Sequence, residues 1–146
     1  MVPMILVDAN LLIYAQVSSF EQHSLARRWL EREMNGGGRI GLPWPSLLAF
    51  VRLVSNPKLF SRPQSVNGAW RQVEEWLGIP GVWIPQPGEQ HRKVLCDLLE
   101  LDGIQSNAVP DAHLAALAIE HGLTLCSSDV GFRRFPGLRW LNPIAA

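Results

Sequence analysis

Short apolar runs alternate with longer segments of helical spacing along most of this chain. Five runs of three or four residues are expected to form strands, namely residues 4–7, 39–42, 82–84, 123–126 and 138–141. The first run, MILV, shows no alternation of apolar and polar positions, which is typical of a strand that is buried on both faces. Because helical segments separate the strands, the pattern predicts an α/β fold with a parallel, helix-covered sheet.

Six segments between these runs have the spacing or the end signals of helices. They are residues 11–15, 18–35, 46–54, 65–77, 89–101 and 110–121. Ser18 and Glu21 have the spacing of a capping box, Ser65 can cap the fourth helix, and Gly122 suits the end of the sixth. An apolar stripe on the third helix is formed by Leu47, Phe50, Val51 and Val54.

Length and composition favour one globular domain over residues 1–146. Hydrophobic residues make up 47% of the sequence, which supports a full core and argues against intrinsic disorder. The longest apolar stretch, residues 42–51, contains two prolines and is shorter than the roughly 20 residues of a membrane-spanning helix. With no basic leader before Asp8 and only two cysteines, Cys96 and Cys126, we expect a cytoplasmic protein without disulfides or a membrane anchor.

The net charge of the chain does not indicate which kind of molecule it binds. Thirteen basic and thirteen acidic residues give a net charge of zero, so composition alone does not identify a nucleic-acid binder. Eleven of the basic residues are arginine, which contacts phosphate through two donors at once. Arg133 and Arg134 lie just after Asp129 and are weak candidates for phosphate contacts, since such clusters are more commonly solvated helix faces.

Three aspartates lie where apolar elements meet loops. Asp8 ends the first apolar run, Asp129 follows the fourth, and Asp111 is in the first turn of the nearly apolar sixth helix. Ligands of open α/β sheets bind at the carboxyl ends of the strands, so we expect these carboxylates to share one crevice. Oxygen ligands of this kind suit a hard divalent cation such as Mg²⁺.

Each aspartate also has an ordinary structural interpretation. Asp8 could form an Asx turn, Asp111 could stabilise a helix N-terminus through the helix dipole, and Asp129 could belong to a simple turn. A second alternative is a phosphotransfer hydrolase with Asp8 as its nucleophile, as in the haloacid dehalogenase family. That family carries Asp-x-Asp, whereas residues 8–10 here read DAN.

Three segments together resemble the motifs of a PIN domain. Residues 7–15 read VDANLLIYA, residues 111–122 read DAHLAALAIEHG, and residues 127–138 read SSDVGFRRFPGL. Their order and spacing are most similar to the VapC toxins of bacterial toxin–antitoxin pairs, and the resemblance covers nearly the whole chain. It implies a PIN-like three-layer α/β/α fold with a short-stranded, mainly parallel sheet.

The resemblance also implies a function. A VapC-like protein is expected to be a Mg²⁺-dependent endoribonuclease, with Mn²⁺ as a substitute ion, that cleaves RNA and is held inactive by a VapB-like antitoxin. It is usually a homodimer. On this interpretation Asp8, Asp111 and Asp129 hold the catalytic metal, Asn10 orients Asp8, and Ser127 supports the site. Arg133 and Arg134 would then contact RNA.

Two departures from the family pattern affect these expectations. Phe50 takes the place of a usual glutamate on the third helix, and Gly131 takes the place of a second acid beside Asp129. We therefore expect Phe50 to line the cleft, and a site with one metal ion rather than two. The alternative function is a catalytically weak or inactive PIN-like module that binds RNA or protein.

Overall fold

Five short strands form one parallel sheet in the computed structural model, which describes residues 4–145. The strands are β1 (Met4–Val7), β2 (Arg39–Gly41), β3 (Val82–Trp83), β4 (Thr124–Cys126) and β5 (Trp140–Leu141). Their order is β3-β2-β1-β4-β5, and every neighbouring pair is parallel. All five predicted strands are therefore confirmed.

Six α-helices connect the strands, and each corresponds to a predicted helix. They are α1 (Ala9–Gln16), α2 (His23–Asn35), α3 (Trp44–Val54), α4 (Val66–Leu77), α5 (His91–Leu99) and α6 (Val109–His121), with 3-10 turns at Ser106–Ala108 and Val130–Arg134. Ser65 caps α4 by accepting a 2.9 Å hydrogen bond from the Gly68 amide. Gly122 ends α6 at a φ of 68°, in the left-handed region that favours glycine. Within residues 4–145, none of the helices has the length and apolar character to cross a membrane.

The N-terminus of α2 differs from the prediction. The helix begins at His23 rather than at Ser18, and its N-cap residue, Gln22, makes no capping hydrogen bond through its side chain. Two consecutive turns precede it, because Phe20 donates its amide to Val17 and accepts from the amide of His23. The ring of Phe20 also packs edge-on against Tyr14 at 5.0 Å between centroids. The predicted capping box was therefore wrong.

The two faces of the sheet support separate hydrophobic clusters. Along β1, Ile5 and Val7 pack with α1 to α4, whereas Leu6 points into the opposite cluster with α6 and Phe132. Leu6 and Val7 are fully buried, as the unbroken apolar run predicted. Helices on both faces confirm the three-layer α/β/α architecture.

The order of the strands reverses at β1. The chain proceeds outward from β1 to β2 and β3, then crosses back to place β4 and β5 on the other side of β1. A crevice outside the carboxyl ends of such strands is where open α/β sheets bind ligands. Asp8 and Ser127 are the residues that immediately follow β1 and β4.

Candidate active site

Asp8 is fixed at the end of the central strand by uncharged donors. Its backbone amide donates to the carbonyl of Cys126 at 3.0 Å, which ties it to the end of β4. Its Oδ1 accepts from the Ala9 amide at 2.8 Å and caps α1, while its Oδ2 accepts from Ser127 Oγ at 2.7 Å. Burial raises the pKa of Asp8, and these two hydrogen bonds oppose part of that shift.

Ser127 is the centre of the hydrogen-bond network. Its hydroxyl donates to Asp8 and accepts from Asn10 Nδ2 at 3.2 Å and from the Asp129 amide at 3.0 Å. One proton and two lone pairs are all that a hydroxyl offers, so Ser127 is saturated. It is also fully buried. Strand β5 holds its backbone, because the Ser127 amide donates to Leu141 and its carbonyl accepts from Trp140 Nε1.

Asn10 acts on Ser127 rather than directly on Asp8. Because the Ser127 hydroxyl donates its proton to Asp8, its oxygen can only accept from Asn10. The Asn10 side-chain amide is therefore oriented with its NH₂ group toward Ser127. Among the described residues, Asn10 Oδ1 is one of four buried side-chain polar atoms without a hydrogen-bond partner. A buried oxygen of this kind is normally paired, so a water molecule or an ion at the acidic site would be its partner.

Asp111 is held by a charged partner. It lies in the first turn of α6, and its Oδ2 accepts from an Arg134 terminal nitrogen at 3.1 Å. The side chains of Arg134 and Asp111 are 40% and 25% exposed, so solvent screens this ion pair in part. Burial, followed by the charges of Asp129 and Asp8, raises the pKa of Asp111, and Arg134 opposes that shift.

Asp129 belongs to the same group through both its backbone and its charge. Its amide donates to Ser127, and its Oδ1 accepts from the Gly131 amide at 2.8 Å, which caps the 3-10 turn after β4. Its charge raises the pKa of both Asp8 and Asp111. The three aspartates are therefore close enough to interact electrostatically at one edge of the sheet.

The ligand chemistry of this group fits a hard divalent cation. The three aspartates offer only oxygen atoms, their charges disfavour one another, and Asn10 Oδ1 adds a further oxygen without a donor. Within residues 4–145, however, no three carboxylate, histidine or cysteine side chains are placed so that they could hold one metal ion together. Mg²⁺ commonly binds through one or two carboxylates and keeps several waters, so the residues present suit it without such a cage.

Phe50 does not line the cleft, and that expectation was wrong. Its side chain is fully buried in the cluster between the sheet and α1 to α4, with its ring centroid 4.9 Å from that of Trp76. Leu47 and Val54 share this buried stripe of α3, so the helical period places Phe50 in the core. The position where the family resemblance suggested an acid is therefore closed by packing.

The two arginines after Asp129 have different surroundings. Arg134 pairs with Asp111, whereas the guanidinium carbon of Arg133 lies 5.2 Å from the ring centroid of Trp140. Sequence reasoning proposed both as phosphate contacts and missed the ion pair. It also missed the hydrogen bond from Trp140 to the Ser127 carbonyl, because neither contact is local along the chain.

Comparison with known proteins agrees with this arrangement. The PIN domain family model matches residues 5–138. The chain is 43% identical over 140 residues to "Ribonuclease VapC37" of Mycobacterium tuberculosis, covering 96% of this chain and 97% of that protein. It is 37% identical over 141 residues to "Ribonuclease VapC33" of the same species, covering 97% of this chain and 99% of the other.

Solved structures share the fold at low sequence identity. VapBC2 from Rickettsia felis, bound to a DNA fragment from its promoter, is similar with a TM-score of 0.68 and 18% identity, covering 94% of this chain and 97% of that one. VapC20 of Mycobacterium tuberculosis, described as a sarcin-ricin loop cleaving toxin, has a TM-score of 0.62 and 14% identity, covering 92% and 98%. The family model and the sequence relatives together show that the chain belongs to the PIN-domain family and, within it, to the VapC ribonucleases.

Proposed function

We propose that this protein is a divalent-metal-dependent endoribonuclease and the toxin of a VapBC-type toxin–antitoxin pair. The observation that carries the proposal is the convergence of three aspartates at the carboxyl edge of the sheet, where Ser127 bonds to Asp8 and Asp129 and Arg134 bonds to Asp111. Carboxylates with raised pKa values in one crevice are a common mark of a functional site. Membership of the VapC family supplies the reaction class, which is hydrolysis of RNA.

The roles of the side chains follow from their contacts. Asp8, Asp111 and Asp129 would share Mg²⁺, or Mn²⁺ as a substitute, with one or two of the carboxylates as direct ligands and water between the ion and the rest. A divalent cation supplies Lewis-acid chemistry, since it neutralises charge that develops on the phosphate during attack by water. Ser127 and Asn10 position Asp8 and Asp129, because the serine hydroxyl bonds to both residues and to Asn10.

The RNA backbone would approach a site that is acidic before a cation binds. Phosphate is repelled by the three carboxylates, so binding of substrate and of cation should reinforce each other. Arg133 and Arg134 lie beside the site, on the 3-10 turn that Asp129 caps. We assign them as candidate phosphate contacts, with Arg134 available only when it is not paired to Asp111.

The proposed macromolecular partners come from the related proteins. VapBC2 was solved bound to DNA from its promoter, and similar structures include FitAB bound to DNA and VapBC-1 from nontypeable Haemophilus influenzae. By analogy we propose a VapB-like antitoxin as the inhibitor of this chain and a homodimer as its assembly.

A weakly active or inactive binding module is the second candidate. Two observations favour it: no three metal-binding side chains converge among residues 4–145, and Phe50 fills the core where the resemblance suggested an acid. Such a module would bind RNA or the antitoxin without cleaving RNA.

Cleavage assays with charge-neutral variants distinguish the two candidates. Asp8→Asn and Asp111→Asn should lose most of the RNA cleavage that the wild type shows in Mg²⁺ or Mn²⁺, and a chelator should abolish it. In the wild type, saturation with Mn²⁺ should also raise the free energy of unfolding, by about 2.7 kcal/mol at a hundredfold excess over the dissociation constant.

Asp97→Asn is the matched control, because Asp97 is exposed on α5 and its side chain forms an ion pair with the exposed Lys93. Its cleavage rate and its stabilisation by Mn²⁺ should equal those of the wild type. Full activity in Asp111→Asn would reject the site, and a wild type without any metal-dependent cleavage would support the binding module.

A further inference from the structure

The ion pair between Arg134 and Asp111 places a cation of the protein itself against the acidic group. Asp8 and Asp129 have their carboxylates satisfied by neutral donors, namely a serine hydroxyl and backbone amides. Asp111 alone among the three is paired with a full positive charge. A guanidinium and a divalent cation are attracted by the same carboxylate charge, so they cannot both have their full interaction with it.

Gly131 provides the space for this arrangement. A Cβ built at Gly131 would lie 3.0 Å from Asp129 Oδ1 and 3.4 Å from a terminal nitrogen of Arg134. Any larger side chain at this position would crowd both groups. The arginine therefore passes close to the backbone of Gly131 on its way to Asp111, between the turn that Asp129 caps and the first turn of α6.

We propose that Arg134 is an internal counterion of the metal site, which neutralises Asp111 in the metal-free protein and must release it when a divalent cation binds. The inference rests on the proposed function, since it requires a cation at the three aspartates. It assigns to Arg134 a role that is distinct from a permanent RNA contact: the side chain lowers the affinity for metal and becomes free only after metal binding.

Mn²⁺ titration followed by electron paramagnetic resonance tests this role without measuring cleavage. In Arg134→Gln the competing charge is gone, so the affinity for Mn²⁺ should rise by about two- to fivefold at low ionic strength, as expected for a partly exposed ion pair. Arg134→Lys keeps the positive charge and should remain closer to the wild type. The gain in Arg134→Gln should shrink as KCl increases, because salt screens the ion pair.

Arg133→Gln is the matched control for this titration. It removes the neighbouring positive charge, which lies over Trp140 rather than on a carboxylate, and its Mn²⁺ affinity should change less than that of Arg134→Gln. Circular dichroism in chelator verifies that each variant is folded. Arg134 is 40% exposed, so its replacement should leave the fold intact.

The outcomes separate the inference from the proposed function. A lower or unchanged Mn²⁺ affinity in Arg134→Gln overturns the counterion role, as does an equal gain in Arg133→Gln. Asp8→Asn should bind Mn²⁺ far more weakly than the wild type. If the wild type binds no Mn²⁺, or Asp8→Asn binds it equally well, the metal site itself is wrong, whatever the arginine variants do.

Discussion

Asp8 and Asp111 belong to the same acidic group but are held in opposite ways. Asp8 accepts hydrogen bonds from two neutral donors, the Ser127 hydroxyl after β4 and the Ala9 amide at the start of α1. Asp111 accepts from a partly exposed guanidinium. The donors that position Asp8 are neutral and leave its negative charge in place. The donor that positions Asp111 is the positive charge of Arg134, which neutralises the carboxylate.

This difference separates a preformed half of the site from a half that must rearrange. Neutral donors leave the negative charge of Asp8 available to a cation and need not move when one arrives. Arg134 has to leave Asp111 for that carboxylate to offer its full charge. Variants that remove a neutral donor to Asp8 and variants that remove the charged partner of Asp111 should therefore change stability differently. The changes should differ in size, in pH dependence and in salt dependence.

Removal of the Ser127 hydroxyl should have the largest effect. Ser127→Ala removes a fully buried hydroxyl, so that Asp8 Oδ2 and the donors of Asn10 and Asp129 lose their partner. A single unsatisfied buried group costs about 1–3 kcal/mol, so the free energy of unfolding should fall by at least that amount. Urea denaturation in chelator measures it, and affinity for Mn²⁺ should fall as well.

Ser46→Ala is the control for this loss. Ser46 is also buried, at 1% exposure, but among the described residues its Oγ has no hydrogen-bond partner. Removing that hydroxyl should leave stability unchanged or raise it. Equal destabilisation in the two alanine variants would mean that Ser127 contributes only its volume and not the hydrogen bonds of the network.

The pH dependence of stability should show an effect of intermediate size. In the metal-free protein the pKa of Asp111 is raised by burial and by the neighbouring aspartates, so the native state holds its proton more tightly than the unfolded chain. The contribution of Asp111 to the free energy of unfolding is fully present below the ordinary aspartate pKa. It is lost as pH rises through the raised pKa of Asp111 in the native state. Asp111→Asn should therefore gain stability relative to the wild type as pH rises above the ordinary aspartate pKa of about 3.9.

The comparison must be made against the wild type at each pH. Burial lowers the pKa of His113, so protonation of this histidine destabilises the native state as pH falls and opposes the aspartate effect. The difference between Asp111→Asn and the wild type cancels that contribution. A mutant advantage that is independent of pH would contradict the raised pKa of Asp111.

Loss of the ion pair should have the smallest effect on stability. In chelator, Arg134→Gln should lower the free energy of unfolding by less than about 1 kcal/mol, because both partners are partly exposed. The loss should disappear in 1 M KCl, where the Debye length is about 3 Å. Ser127→Ala should keep most of its loss under the same conditions, since salt screens the short hydrogen bonds of a buried hydroxyl much less than a partly exposed ion pair. A loss in Arg134→Gln that persists in high salt would mean that packing, not charge, holds the arginine.

Much of the fold could be predicted because its signals are local. The apolar runs of β1 and β4, the cap at Ser65 and the glycine at Gly122 each act within a few residues. The start of α2 could not, because Phe20 packs on Tyr14 and its turns replace the predicted capping box. The packing of Phe20 on the preceding helix there outweighed the capping preference of Ser18.

The candidate site shows the same division. Strand ends predicted the places of Asp8 and Asp129, since parallel strands end at one edge of the sheet. For Phe50, the apolar stripe of α3 indicated the core and the family resemblance indicated the cleft, and the stripe was correct. The contacts of Arg134 with Asp111 and of Trp140 with Ser127 join distant segments, so neither spacing nor composition could predict them.

The Ser127 network has a consequence for the order in which the protein is made. Its hydroxyl bonds to Asp8, which lies 119 residues earlier in the chain, and its backbone is held by Trp140 and Leu141. A nascent chain therefore carries Asp8 and Asn10 without the hydroxyl that positions them until Ser127 has been added. The proposed ribonuclease acquires its complete active site only after Leu141 has been added, so the first 126 residues of a nascent chain cannot form it.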